Sequence, residues 1–139
     1  MTGHIPRRPA PATGAQPVPA VLIAAVSTAA QADRAIAAGA DMIDATGLSD
    51  QAAAAIRARE PGARLWAGSP AAVDADGSGV TTGGPATPVA AAIARAAVLT
   101  WLGTPAIRTR HVLPVRRAID MTSSIAGTRL PSLTTRGLG

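Results

Sequence analysis

Three side chains able to grip an anion crowd one short run of the chain, AIRTRHV, where Arg108, Arg110 and His111 fall within four residues of one another. A guanidinium offers a planar fork of N–H donors that suits phosphate and carboxylate oxygens, and a protonated imidazole can add to it. Arg108 and Arg110 alternate, as side chains on one face of an extended segment do. Both therefore read either as an anion site at a strand end or as a solvated pair there. Asp44, in the run DMIDAT, ends a second extended segment. It can serve a site, or it can cap the adjoining loop and pair with an Arg. Asp74 and Asp76, with Gly77 and Gly79, suggest a phosphate or Ca²⁺ loop, but neither a Gly-Lys-Ser/Thr sequence nor a spaced Glu completes the pattern, and a flexible turn accounts for them. The absence of cysteine excludes disulfides, thiolate metal sites and a cysteine nucleophile. The two histidines, His4 and His111, are too far apart for a metal motif, and no Gly-x-Ser-x-Gly elbow accompanies His111, so neither metal binding nor a Ser-His-Asp hydrolase is indicated.

These residues need a scaffold, and the hydrophobic pattern supplies one. Val21 to Val26 is an uninterrupted apolar run, as expected for a strand covered on both faces in a parallel sheet. Thr28 and Gln31 stand at capping-box spacing, which predicts a helix that ends at Gly39. Asp41 to Thr46 follows as a strand, and Ser49 caps a helix to about Arg59, stopped by Pro61-Gly62. Arg64 to Ser69 is a third strand. The turn-forming residues from Pro70 to Ala86 predict a long loop. Thr87-Pro88 predicts a helix start, with Pro at the first helical position, leading to Leu102 and Gly103. Ala106 to Arg110 is a fourth strand. Pro114 opens a last helix in which Val115, Ala118, Ile119 and Thr122 share one face while Arg116, Arg117 and Asp120 point away. Alternating strands and helices imply right-handed βαβ crossovers and a parallel sheet. About four such units predict an α/β fold equal to half of an eight-unit barrel. Open sheet edges would then favour homo-oligomerisation or pairing with another chain.

Composition narrows the possible partners. At 139 residues and 47% apolar content, one core is expected, built from Ala, Val, Leu and Ile because Trp66 and Trp101 are the only aromatic side chains. It is expected over 20–126, between a disordered leader (1–19) and a loosely ordered tail (127–139). The net charge of +5 is carried entirely by Arg. No basic block and no aromatic side chains interleaved with Arg point to a nucleic-acid partner. Val89 to Ile107 approaches the length of a membrane span, but Arg95, Gly103 and Pro105 interrupt it, so no membrane segment is expected. Arg7-Arg8 ahead of Val18 to Ala30 leaves a twin-arginine export signal as an alternative. The Pro-rich spacer and the capped helix that follows argue against it, and a cytoplasmic location is expected.

Two stretches resemble dihydropteroate synthases, the pterin-binding enzymes of folate synthesis. AIAAGADMIDATG, Ala35 to Gly47, is similar to the family's A-G-A-D-I-I-D-V-G-G segment around its second barrel strand. WLGTPAIRTRHVLPVRRAIDMTSSI, Trp101 to Ile125, is similar to its closing unit, whose strand ends in R-V-H-D-V. Together they cover about a quarter of the chain. The resemblance implies a barrel of the TIM type and a pterin or phosphate ligand. It also implies that Arg108 takes the place of the Arg that helps bind the substrate's pyrophosphate, with Mg²⁺ a cofactor only if a pyrophosphate is bound. The departures are specific. Arg110 and His111 stand where the family has His and Asp, and VLIAAVSTAA lacks the Asn of the first-strand N-x-T-P-D-S-F loop. The sequence has no Asn and no Lys at all, although the family uses both to read the pterin ring. A flat polar ring needs several fixed partners. The implied function is therefore a degenerate, dihydropteroate synthase-like protein that binds a phosphorylated ligand or a partner. The alternatives are a module that pairs with a full-length synthase, or a transferase restored when two chains complete a barrel.

Overall fold

The computed structural model describes residues 19–77 and 88–128. The expected leader lies almost wholly outside them, as do Thr87, Gly79 and the tail beyond Thr128. The elements, in chain order, are β1 (Val21–Ala25), α1 (Ala29–Ala37), β2 (Met42–Asp44), α2 (Asp50–Arg59), β3 (Leu65–Trp66), β4 (Val73–Asp74), α3 (Val89–Trp101), β5 (Ala106–Thr109) and α4 (Val112–Ile125).

The local signals act as their chemistry requires. Thr28 accepts from the Gln31 amide while the Gln31 side chain accepts from the Ser27 amide, and Ser49 accepts from Ala52 at the start of α2. Each oxygen satisfies a donor that the first helical turn leaves without a backbone partner. Gly39, at φ +97°, turns the chain out of α1 while the Gly39 and Ala40 amides return to Ile36 and Ala35. Two helix starts differ from expectation. Pro88 is the N-cap of α3 rather than its first residue, and α4 begins at Val112, so Pro114 sits inside its first turn, where a missing N–H costs nothing.

All strands are parallel, in the order β3-β2-β1-β5-β4. The sheet thus has five strands, and its order is not a simple sequence of four. The missed strand, Val73–Asp74, lies within the stretch expected to be a loop. It is only two residues long and becomes a strand by pairing with Ile107 and Arg108 of β5.

The side chains of each strand alternate between two unlike faces. Leu22, Ala24, Ile43 and Ile107 belong to one cluster with residues of all four helices, among them Ala35, Ile56, Ala96 and Val115. Ile23, Met42 and Ala106 form a second cluster on the opposite face, and it contains no helix residue. Its covering groups include Trp66 and Ala72. The chain itself accounts for this cover. β3 and β4 occupy opposite edges of the sheet, four strand spacings or at most about 19 Å apart, and the seven steps from Trp66 to Val73 reach about 25 Å. The β3–β4 connection therefore crosses almost directly.

Handedness fixes the face it crosses. The helical crossovers β1–β2, β2–β3 and β4–β5 all step the same way across the sheet, while β3–β4 steps back. A right-handed return must then run over the face opposite the helices, which is where Ala72 packs. A bond from Trp66 Nε1 to the Pro70 carbonyl (2.8 Å) ties the strap to the strand it leaves. The result is an α/β protein with one layer of helices, a parallel sheet and a short strap in place of a second layer. This arrangement is compatible with a partial barrel.

Among the described residues, no helix is long and apolar enough to cross a membrane; the stretch Val89 to Ile107 divides into α3 and β5.

Candidate functional site

The C-terminal ends of β1, β2 and β5 meet at one cleft of about 750 Å³. Parallel strands direct their carboxyl ends and the following loops to the same side, so residues distant in sequence converge there. Asp44 arrives from β2, Arg108 from β5, and Arg110 from just beyond β5; all three line the cleft. One face of α1 forms a wall through Gln31, Arg34, Ala35 and Ala38, at helical spacing.

His111 is not among the lining residues. It is the N-cap residue of α4, half-buried, with its amide bonded to Thr109 Oγ1 at 3.0 Å. The turn from strand to helix thus separates it from the two arginines.

Asp44 and Arg108 are bound to each other. Arg108 Nε donates to Asp44 Oδ2 at 2.6 Å, and Arg108 Nη1 donates to Asp74 Oδ1 at 2.9 Å. The other Asp44 oxygen accepts from both the amide and the hydroxyl of Thr46, at 2.9 and 2.6 Å. Asp44 therefore caps the loop after its strand and pairs with an Arg, the structural role open to it from the sequence.

Its environment explains its charge. Burial at 3% exposure opposes ionisation, but the Thr46 donors and the Arg108 guanidinium outweigh it and hold the carboxyl below the usual aspartate value. Burial likewise opposes the charge on Arg108. Its bonds to Asp74 and Asp44 prevail and raise its pKa further, so the guanidinium stays charged.

Asp74 and Asp76, assigned from sequence to a turn, are structural anchors between β4 and β5. Asp76 is buried and accepts from Thr109 Oγ1 (2.6 Å) and from the Arg110 amide (2.8 Å). These bonds fix where the chain leaves β5 and hence where the Arg110 side chain starts.

The donor set does not suit Mg²⁺. Among the residues lining the cleft, Asp44 is the one carboxylate, and both its oxygens are already engaged by Thr46 and Arg108. Among the described residues there is also no group of three or more His, Asp or Glu side chains placed to hold a metal.

Sequence reasoning missed Arg34. It looks like any polar residue on a helix surface, and only the fold, which sets one face of α1 along the cleft at the strand ends, brings it to the same space as Arg110. No family model, curated relative or solved structure matches the chain.

Proposed function

We propose that the protein is a degenerate pterin-binding-domain protein, related to dihydropteroate synthase, that binds a phosphorylated small molecule without turning it over. The observation that carries this reading is the cleft at the strand ends, where Arg34, Arg108 and Arg110 meet a single carboxylate. That excess of guanidinium favours an anion.

The strand order adds support. In a closed eight-stranded barrel the first strand pairs with both the second and the last. The order β3-β2-β1-β5-β4, with every helix on one face, is what such a barrel would leave if its middle strands were deleted. The deletion would also remove the middle-strand positions with which the resembled family reads the pterin ring, in keeping with a chain that has neither Asn nor Lys.

The strap bears on the alternatives. An active barrel completed by two chains would need the inner face of the sheet, which Trp66 and Ala72 already cover. Pairing with a full-length synthase would need the sheet edges, and β3 and β4 present two residues each. Edges this short offer few ladder hydrogen bonds, so ligand binding is the reading we favour.

Calorimetric titration with 6-hydroxymethyl-dihydropterin pyrophosphate and with inorganic pyrophosphate tests it. Micromolar binding of either, with no dihydropteroate formed when p-aminobenzoate is added, is the expected result. Product formation, or no binding of either compound, would overturn it. Tighter binding of the pterin compound than of pyrophosphate would mean that a ring pocket survives beside the anion site.

A further inference from the structure

The arginines of the cleft are not equivalent, and the difference decides which of them can hold a ligand. Arg108 points two of its nitrogens at Asp44 and Asp74, both within 3.0 Å, so most of its positive field is already answered inside the protein. Arg34 and Arg110 are exposed, and neither side chain forms an ion pair or hydrogen bond with another described residue. Each instead borders the cleft from a different element, Arg34 from α1 and Arg110 from the turn after β5.

The cleft they border is lined by polar side chains, among them Ser27, Gln31 and Thr46, and by a smaller apolar part. Ala35 and Ala38 on α1 and Val112 at the start of α4 line the same space. Arg110 is held at its backbone by the buried Asp76, and Arg34 is held by a helix whose N-terminus is capped by Thr28 and tied to Ser27 by Gln31. Two fixed bases thus bring two exposed cations, unpaired among the described residues, to one cleft.

We infer that Arg34 and Arg110 form a two-armed clamp for the phosphoryl group of a small phosphate ester, with Arg108 acting only to position the strand ends. This rests on the reading that the cleft takes a phosphorylated ligand, and it names which residues take the phosphate. Arg34 and Arg110 bring two positive charges against the single net negative charge of Arg108 with its two aspartates, so the site keeps a positive excess toward a phosphate monoester. Two guanidiniums carried by different elements can each donate a pair of hydrogen bonds to its oxygens. Ala35, Ala38 and Val112 give this mostly polar cleft an apolar part that can take a small organic group, so the ligand class is a monoester with a small substituent rather than inorganic phosphate itself.

The test is calorimetric titration of the full chain with phenyl phosphate, inorganic phosphate and inorganic pyrophosphate, repeated on Arg34→Gln, Arg110→Gln and Arg108→Gln. Circular dichroism and urea unfolding establish that each variant is folded. Because both clamp side chains are exposed, Arg34→Gln and Arg110→Gln should unfold like the parent while each loses about tenfold or more in affinity for phenyl phosphate, the scale expected for one charge-assisted contact. Arg34→Lys should recover part of the loss. Phenyl phosphate should bind more tightly than inorganic phosphate by several-fold.

If the parent binds pyrophosphate or phenyl phosphate, Arg34→Gln changes nothing and a folded Arg108→Gln loses binding, the clamp is wrong while the anion site stands. Failure of all three compounds to bind the parent would overturn both the clamp and the reading on which it rests.

Discussion

Each end of the sheet carries an arginine set between two aspartates, yet the residues beside the two sets differ. At the carboxyl end of the strands Arg108 joins Asp44 and Asp74. At the amino end Arg116 of α4 joins Asp41, just before β2, at 3.0 Å and Asp120, one turn along its own helix, at 3.1 Å. Asp41 also accepts from the Leu22 amide, so this second cluster stitches α4 to the start of β1 and β2. Gly39 allows the approach: a Cβ there would lie 3.1 Å from Arg116 Cδ. Arg116 is thereby half-buried, although Asp41 remains 44% exposed. The upper cluster has the same charge pattern and borders the cleft, where Arg34 and Arg110 add positive charge that pairs with no other described residue. An arginine–aspartate cluster thus reports structure at both ends, and the proposed ligand role rests on the cations beside the upper one.

Substitutions should separate the two ends, and the largest effects are expected where charge is left buried. Arg108→Ala strands Asp44, whose side chain is only 4% exposed, and should cost about 2–3 kcal/mol in urea unfolding, below the usual range for a buried pair because Arg108 is itself 33% exposed. A loss under about 0.5 kcal/mol would show that the cluster is not structural.

Gly39→Ala should cost about 1–2 kcal/mol, since it combines positive φ with a close approach to Arg116. Trp66→Phe keeps most of the ring packing under the strap but removes the bond to the Pro70 carbonyl, an expected loss of about 1 kcal/mol.

The upper cluster should also respond to acid. Asp44 has a pKa lowered in the folded chain, so its stabilisation is complete above the unfolded value of about 3.9 and is lost as the pH falls through the lower folded value. The stability gap between the parent and Asp44→Asn should accordingly shrink from about pH 5 to about pH 3, and a gap that stays constant would assign the effect to packing rather than charge. The smallest effect is expected at the exposed pair of Arg59 with Asp33, where Asp33→Ala should change stability by less than about 0.5 kcal/mol because solvent screens the charges.

The sequence made some of these features legible and hid others for identifiable reasons. The central strand β1 stood out because a strand covered on both faces needs apolar residues throughout. The helix starts at Thr28 and Ser49 stood out because a cap is a local device, complete within four residues. β4 was hidden because Val73 and Asp74 form no apolar run and owe their conformation to pairing with β5, which lies more than thirty residues later.

Charge on helices was equally opaque. Helical periodicity puts Arg116 on the polar face, and its expected outward orientation is corrected by the long side chain, which folds back over Gly39 to reach Asp41 and is only 17% exposed. Arg34 has the same local sequence character as a solvated residue, and its place in the cleft depends on how α1 packs against the sheet beside β2. His111, conversely, looked equivalent to Arg110 because the two are adjacent. The strand-to-helix turn between them is a backbone event that adjacency does not reveal.

The central claim is that the carboxyl end of the sheet binds an anion while the amino end, with its similar cluster, does not. Titration of isotope-labelled protein with inorganic pyrophosphate, followed by amide chemical shifts, tests it most directly. The expected result is saturable shifts at Ser27, Thr46, Gly47 and Arg110, with Asp41 and Leu22 unmoved. Shifts centred on Asp41 and Leu22, or spread equally over both ends, would contradict it.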